Sequence, residues 1–188
     1  MHPAEKTISK FVSPGQFVAD LGCGPGYFVL PFAKLVGQGG KVFAVDFDQK
    51  AIEKVRKKVS DARLEDVVES WVSSAAELAF IPSDSIDFVL AAELLCCMED
   101  HSGALAQIKR ILKKEGSVYL SVTKLAKKSD PRRVTREEWQ KILEDFRVVK
   151  SGENILSRWA VLSKTNDRPP LASHASSLTG PNTVCKCK

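Results

Sequence analysis

Directly behind the apolar run Phe17–Leu21 the chain places three glycines in five positions, Gly22, Gly24 and Gly26, within the stretch "DLGCGPG". Glycine fills no core and loses the most backbone freedom on ordering. A cluster therefore marks a tight turn or a ligand held against the main chain. The flanks narrow the choice. Phe17–Leu21 reads as a short buried strand, and "YFVLPFAKLV" behind the glycines has helical spacing, with Pro25 placed near a first helical turn. In an open parallel sheet ligands collect beyond the carboxyl ends of strands, and a glycine loop there can offer backbone N–H groups to them.

The remainder of the chain alternates in the same way. "KVFAVDFD", "VVESWVSS", "SIDFVLAAE" and "SVYLSVT" read as further strands, and "FRVVKS" and "SRWAVLS" as two closing strands around "GEN". "QKAIEKVRKKV" is an amphipathic helix with Ile52, Val55 and Val59 on one face. "SGALAQIKRILKK" is another, with Gly116 as its stop signal, and "TREEWQKILEDF" opens with a Thr135/Glu138 capping box. The alternation predicts an α/β fold, a parallel sheet with helices on both faces. At 44% hydrophobic residues, the 188-residue chain can bury one core of its own. The expected domain is 1–164. From Thr165 the hydrophobic period ends in a Pro-, Ser- and Thr-rich stretch closing on "CKCK", expected to be a disordered tail.

Several classes are excluded by what the chain lacks. No apolar stretch approaches the roughly 20 residues of a membrane span, and "MHPAEKTISK" has no segment resembling a secretory signal. Two of the five cysteines are adjacent and two lie at the extreme end, a poor disulfide framework, so the cytoplasm is the expected compartment. The net charge of +5 equals the excess of one stretch, where Lys124, Lys127, Lys128, Arg132, Arg133 and Arg136 face Asp130 alone. This 123–136 stretch reads either as a solvated loop or as a landing surface for an anionic partner: nucleic acid, acidic protein or lipid headgroup. No aromatic residue interleaves with these charges, which leaves base stacking without support.

The glycine spacing discriminates between ligands. A dinucleotide fingerprint needs G-x-G-x-x-G or a final Ala, whereas this loop is G-x-G-x-G followed by the bulky Tyr27. Asp20, just before the loop, adds negative charge where a diphosphate is unwelcome and a cation is tolerated. Asp46, at the tip of the second strand, can accept hydrogen bonds from both hydroxyls of a ribose, and Phe47 can lie on a purine face. Loop and strand tip together describe a nucleoside site with no demand for phosphate.

On these residues the chain resembles the class I S-adenosylmethionine-dependent methyltransferases, in particular the group containing the ubiquinone- and menaquinone-pathway enzymes. "VADLGCGPG" matches their D/E-x-G-x-G-x-G signature, and "VFAVDFD", "SIDFVLAAELL" and "IKRILKKEGSVYLS" follow in order from about Gly15 to Lys164. The resemblance implies a Rossmann-like, doubly wound seven-stranded sheet, mostly parallel with an antiparallel closing strand. It also implies S-adenosyl-L-methionine as cofactor, S-adenosyl-L-homocysteine as product and methyl transfer to an acceptor that the sequence does not identify. It places the methionine end against Gly22 and Gly24 with Asp20 near the ammonium, and the ribose on Asp46, with Gly26 also among the residues that hold the donor. "AAEL" matches a family D-A-E-x segment in which the aspartate meets the adenine. Ala75 stands in that place here, leaving the Ala76 N–H to address the ring and Glu77 to compensate or to remain a surface carboxylate.

Methyl transfer from a sulfonium is an in-line displacement, so alignment supplies much of the catalysis. A base helps when the acceptor carries a proton. The resemblance puts the acceptor edge at "AAELLCCMEDH", with Glu93 as the candidate catalytic carboxylate. Relatives carry E-x-x-E-H here, in some members as a metal site. Cys96 and Cys97 replace the last two ligands, which argues against a magnesium-type centre, so no metal is expected. These cysteines read as packed thiols or as a soft-metal or exchange pair. His101 reads as an exposed residue opening a helix, or as a base. The short segment before the first strand predicts an open site. Two alternatives stand beside turnover: a cofactor-binding partner or scaffold that has lost catalysis, and a nicotinamide oxidoreductase.

Overall fold

Five strands with near-continuous apolar stretches lie parallel at the centre of the molecule. In the computed structural model, which describes residues 8–127 and 129–164, these are β1 (Phe17–Leu21), β2 (Lys41–Asp46), β3 (Val68–Val72), β4 (Ile86–Ala92) and β5 (Leu112–Thr123). Two more, β6 (Arg147–Glu153) and β7 (Ser157–Ser163), complete the order β3-β2-β1-β4-β5-β7-β6, with β7 antiparallel to both neighbours. The strand order reverses between β1 and β4, so the connections leaving their carboxyl ends diverge and leave a crevice. The expected tail 165–188, with Cys185 and Cys187, and Lys128 of the basic stretch lie outside the described residues.

Each face of the sheet buries its own core. Helices α1 (Val29–Val36) and α2 (Gln49–Asp61) cover one face, where Phe32, Ile52 and Val55 pack with Val18, Ala44 and Phe88, joined by Ile8 and Val12 from the N-terminal segment. Helices α3 (His101–Ile111) and α4 (Arg136–Glu144) cover the other, where Ile108, Ile111, Trp139 and Ile142 meet Val89, Ala91 and Leu120. The strict alternation of Val18 and Ala19 between the two cores follows from the two-residue period of a strand.

Three local expectations are corrected. Helix α1 begins at Val29, so the proline in its first turn is Pro31 rather than Pro25, at a position whose N–H would have no helical partner anyway. Helix α3 stops at Ile111, and Leu112–Lys114, which continue its apolar period, open β5 instead. Leu112 pairs with Ile86, and Lys113 holds Asp87 through both carboxylate oxygens at 2.8 Å. Sheet pairing thus overrides helical propensity. Half of the capping box forms: the Thr135 hydroxyl accepts from the Glu138 N–H at 3.1 Å, while Glu138 Oε1 reaches to His101 Nδ1 at 2.6 Å.

Gly116 therefore serves not as a helix stop but in the irregularity where β5 shifts register against β4. A Cβ there would lie 2.9 Å from the Ile86 carbonyl oxygen and 3.0 Å from that of Lys113. Backbone atoms cannot rotate aside, so Gly116→Ala is expected to destabilise the fold by about 1–3 kcal/mol, read as a lower denaturation midpoint in urea with unchanged slope.

Candidate active site

At the reversal point of the sheet the surface opens into a cleft of about 610 Å³, bounded by the segments that follow β1 to β4. This lies within the roughly 300–1,000 Å³ typical of small-molecule sites. Its floor is the glycine loop, whose three glycines are needed for different reasons. All have positive φ, 74° at Gly22, 51° at Gly24 and 81° at Gly26, a region side chains disfavour. A Cβ on Gly22 would press on Leu94 at 3.1 Å and one on Gly26 on Val55 at 3.0 Å, so both permit close packing. A Cβ on Gly24 would meet nothing within 4 Å. Gly22 and Gly24 both line the cleft, and of the three glycines only Gly24 would give an added Cβ open space. Gly26 lines no part of the cleft. It gives the close helix contact that Tyr27 had argued against.

The loop does not offer its amides. Residues 22–26 have four backbone N–H groups, Pro25 having none, and each is donated within the protein. Gly22 and Cys23 donate to the Val45 carbonyl at 2.8 and 3.0 Å, Gly24 to Asp46 Oδ2 at 2.8 Å and Gly26 to the Cys23 carbonyl at 3.0 Å. An anion would find no unused donor on this stretch. Beneath the loop, Asp20 is buried, and among the described residues its Oδ2 has no hydrogen-bond partner. Burial, and behind it the charge of Asp46, pushes its carboxyl up to about 7. Burial and the same two carboxylates push the Cys23 thiol up as well, which leaves it unreactive. A buried carboxylate without a partner beneath donor-poor backbone favours a cation.

Asp46 ends β2 with both oxygens engaged, Oδ2 to Gly24 N and Oδ1 to the Asp48 N–H at 2.9 Å. Each oxygen retains a second lone pair for a further donor. Phe47, 71% exposed, stands on the cleft wall next to it. The far wall is Ser73, Ser74 and Ala75. Ala76 and Glu77 do not reach it: the Ala76 N–H is donated to Ser74 Oγ at 3.2 Å, and Glu77 is an exposed residue whose carbonyl accepts from Ser73 Oγ. The turn closes on itself, so the expected donor to an adenine edge is already used.

On the opposite side Glu93 lines the cleft at φ 56°, a left-handed conformation unusual for a side-chain-bearing residue and frequent at functional sites. Ser121 holds it there through both backbone and side chain, its hydroxyl also accepting from the Glu93 N–H at 3.2 Å. The Ser121 carbonyl accepts the Glu93 N–H at 3.0 Å, and its hydroxyl donates to Glu93 Oε1 at 3.1 Å. The Cys96 thiol approaches Oε2 at 3.6 Å and the Glu93 carbonyl at 2.9 Å. Burial raises the Glu93 carboxyl above its ordinary range, opposed by the Ser121 and Cys96 bonds. Burial, with the Glu93 charge next, pushes the nearby Tyr119 phenol up to about 12.

His101 is not the exposed helix-opening residue the sequence suggested. It is buried, with Nε2 donating to the Leu95 and Met98 carbonyls at 2.7 and 2.9 Å and Nδ1 lying 2.6 Å from Glu138 Oε1. With both nitrogens committed it serves as a tie. Gly22, Gly24, Asp46, Phe47 and Glu93 therefore meet at one cleft, Asp20 lies under its floor, and Gly26, Ala76 and Glu77 stay off its lining. Sequence reasoning missed Ser121, Lys54 and Arg132. Ser121 had a signal, a polar residue inside a buried apolar strand; Lys54 and Arg132 reach the lining only through the folded approach of α2 and the 123–136 segment.

Residues 19–120 match the family described as "methyltransferase domain". The chain is 33% identical over 107 residues to the demethylmenaquinone methyltransferase of Lactobacillus johnsonii, an alignment covering 57% of this chain and 43% of the relative. It is 33% identical over 104 residues to an aklanonic acid methyltransferase of Streptomyces sp. strain C5, covering 55% and 46%. The aligned region thus spans less than half the length of these relatives. In three dimensions it is similar to a crystal structure titled as a SAM-dependent methyltransferase from Aquifex aeolicus, with TM-score 0.70 and 24% identity over 85% of this chain and 89% of that one.

The state of Asp20 sets a pH signature. Its folded carboxyl sits near 7 against an ordinary 3.8, so between these values the folded protein holds a proton that the unfolded chain releases. Stability from this group is full below about pH 4 and is lost as pH rises towards 7. Asp20→Asn should therefore stabilise the ligand-free protein at pH 8, by on the order of a few kcal/mol, and very little at pH 4. Paired urea titrations of parent and variant at the two pH values measure the difference.

Proposed function

This chain belongs to the class I S-adenosylmethionine-dependent methyltransferases, and from that premise we propose that it transfers a methyl group from S-adenosyl-L-methionine to an acceptor admitted on the Glu93 side of the cleft. The observation that carries this reading is the glycine loop, with every amide from 22 to 26 used internally above the buried Asp20, whose Oδ2 has no partner among the described residues. Such a floor suits an ammonium or sulfonium and rejects a diphosphate, which disfavours a nicotinamide dinucleotide.

The bound donor supplies a methyl carbon activated by a positive sulfur. Asp20 would compensate its cationic methionine end, and the bare backbone at Gly24 would leave it room. Asp46 would accept from the ribose hydroxyls through its remaining lone pairs, and Phe47 would cover one face of the base, with Ser73–Ala75 closing the far end. Gly22 and Gly26 act at one remove, by letting Leu94 and Val55 close in and hold the loop's shape. On the acceptor side, Glu93 can take a proton from an incoming nucleophile. Its half-buried, upshifted carboxyl is a better base than an exposed one, and Ser121 keeps it aimed. The cysteine spacing, a poor disulfide framework, fits a reducing compartment, for which we propose the cytoplasm.

Asp46→Ala should weaken binding of S-adenosyl-L-homocysteine by about 1–3 kcal/mol in calorimetry. Because Asp46 also holds Gly24 and Asp48, the decisive comparison is with the 2′,3′-dideoxy analogue: its affinity should change much less, and an equal loss on both ligands would overturn the ribose contact. Glu93→Gln should leave donor affinity intact and lower kcat by about 100-fold or more for an acceptor that must lose a proton. The parent's rate should fall as pH drops through the raised Glu93 carboxyl, and this acidic limb should be missing in the variant. Incubation with radiolabelled donor and fractionated cell extract identifies the acceptor. Label transfer to no fraction, despite tight donor binding, would favour the non-catalytic alternative.

A further inference from the structure

The turn joining β6 and β7 displays apolar side chains at its tip. Ile155 is 87% exposed, Leu156 is 40% exposed, and Leu125, on the adjoining segment after β5, is 64% exposed. The turn itself does not require them. Asn154 Oδ1 accepts from the N–H groups of Leu156 and Ser157 at 2.8 Å each, and the Asn154 N–H donates to the Ser157 carbonyl at 2.9 Å, bonds that polar residues at 155 and 156 would leave unchanged. The two segments are stitched together: Lys124 N donates to the Leu156 carbonyl at 2.7 Å and Lys124 Nζ to that of Asn154 at 2.8 Å. Three aliphatic side chains therefore share one small surface.

Cations surround it. Glu153 Oε2 lies 3.6 Å from Lys124 Nζ and 3.3 Å from Arg158 Nε. Lys124 first, then Arg158 and Arg136, hold the Glu153 carboxyl below its ordinary range. Lys127 extends the positive charge along the same segment. Pairing of Thr123 with Ser157 fixes this surface at the carboxyl end of β5, the sheet end that carries the cleft, and Arg132 of the same connection lines the cleft.

We propose that this surface docks the protein on an anionic lipid bilayer, with Leu125, Ile155 and Leu156 entering the headgroup–acyl boundary and Lys124, Lys127, Arg136 and Arg158 lying against the headgroup phosphates. Aliphatic tips ringed by cations are complementary to that interface. A nucleic acid has phosphates for the cations but no use for exposed isoleucine and leucine, and the surface offers no aromatic ring for a base. No described helix is long and apolar enough to cross a membrane, so this is attachment at the surface. It would set the cleft mouth beside the bilayer while asking nothing of the donor site, so either reading can fail without the other.

The test is co-sedimentation of the full chain with vesicles of equimolar phosphatidylcholine and phosphatidylglycerol, with phosphatidylcholine alone as control. Binding is expected to the anionic vesicles, to weaken with added salt, and to fall about tenfold or more in Ile155→Asp/Leu156→Asp. Leu125→Ser, at a separate exposed position, should weaken it in the same direction. Unchanged thermal unfolding and S-adenosyl-L-homocysteine affinity in the variants would show that the fold and the donor site are intact. Failure to sediment with anionic vesicles, sedimentation insensitive to both substitutions, or tighter binding to a single-stranded RNA oligonucleotide that the double variant retains would each overturn docking on a bilayer.

Discussion

The cleft depends on one carboxylate. Asp46 takes the Gly24 amide on one oxygen and the Asp48 amide on the other, and so fastens the glycine loop, the tip of β2 and the start of α2 to a single point. Charge-assisted bonds of this kind are among the stronger in a protein. They act here on a loop whose left-handed glycines would otherwise be free to sample other turns. Burial first, and then the charge of this same Asp46, raises the Asp20 carboxyl beneath the loop.

The opposite lip uses a different device. Glu93 is held in an uncommon backbone conformation because Ser121 on β5 captures both its amide and its carboxylate. The glycine-loop side is therefore fastened by the Asp46 side chain to its own loop and helix start, and the Glu93 side by Ser121 of the neighbouring strand. A division of this kind fits a fold in which one half keeps the same ligand while the other accommodates different acceptors.

Much of this was legible in the residues. The alternation of apolar strands and amphipathic helices prescribes the sheet, and Asp46 and Glu93 can be placed because each follows directly on a buried strand. What escaped was set by distant partners. Leu112–Lys114 have a helical pattern, yet Ile86 and Asp87 draw them into β5. The three glycines look equivalent in sequence, and only Leu94 and Val55, far along the chain, show that Gly22 and Gly26 permit close packing while Gly24 stands in open space. His101 looks like an exposed residue because nothing nearby announces Glu138, 37 positions on, as its partner.

That histidine has a mechanical consequence. By gripping the carbonyls of Leu95 and Met98 with one nitrogen and Glu138 with the other, it couples the turn that brings Cys97 and Met98 to the cleft directly to the first turn of α4. Arg136 stands two residues before Glu138 on that same helix. The lip beside Glu93 and the first turn of α4 are thus tied through a single imidazole, and displacing either one strains the other.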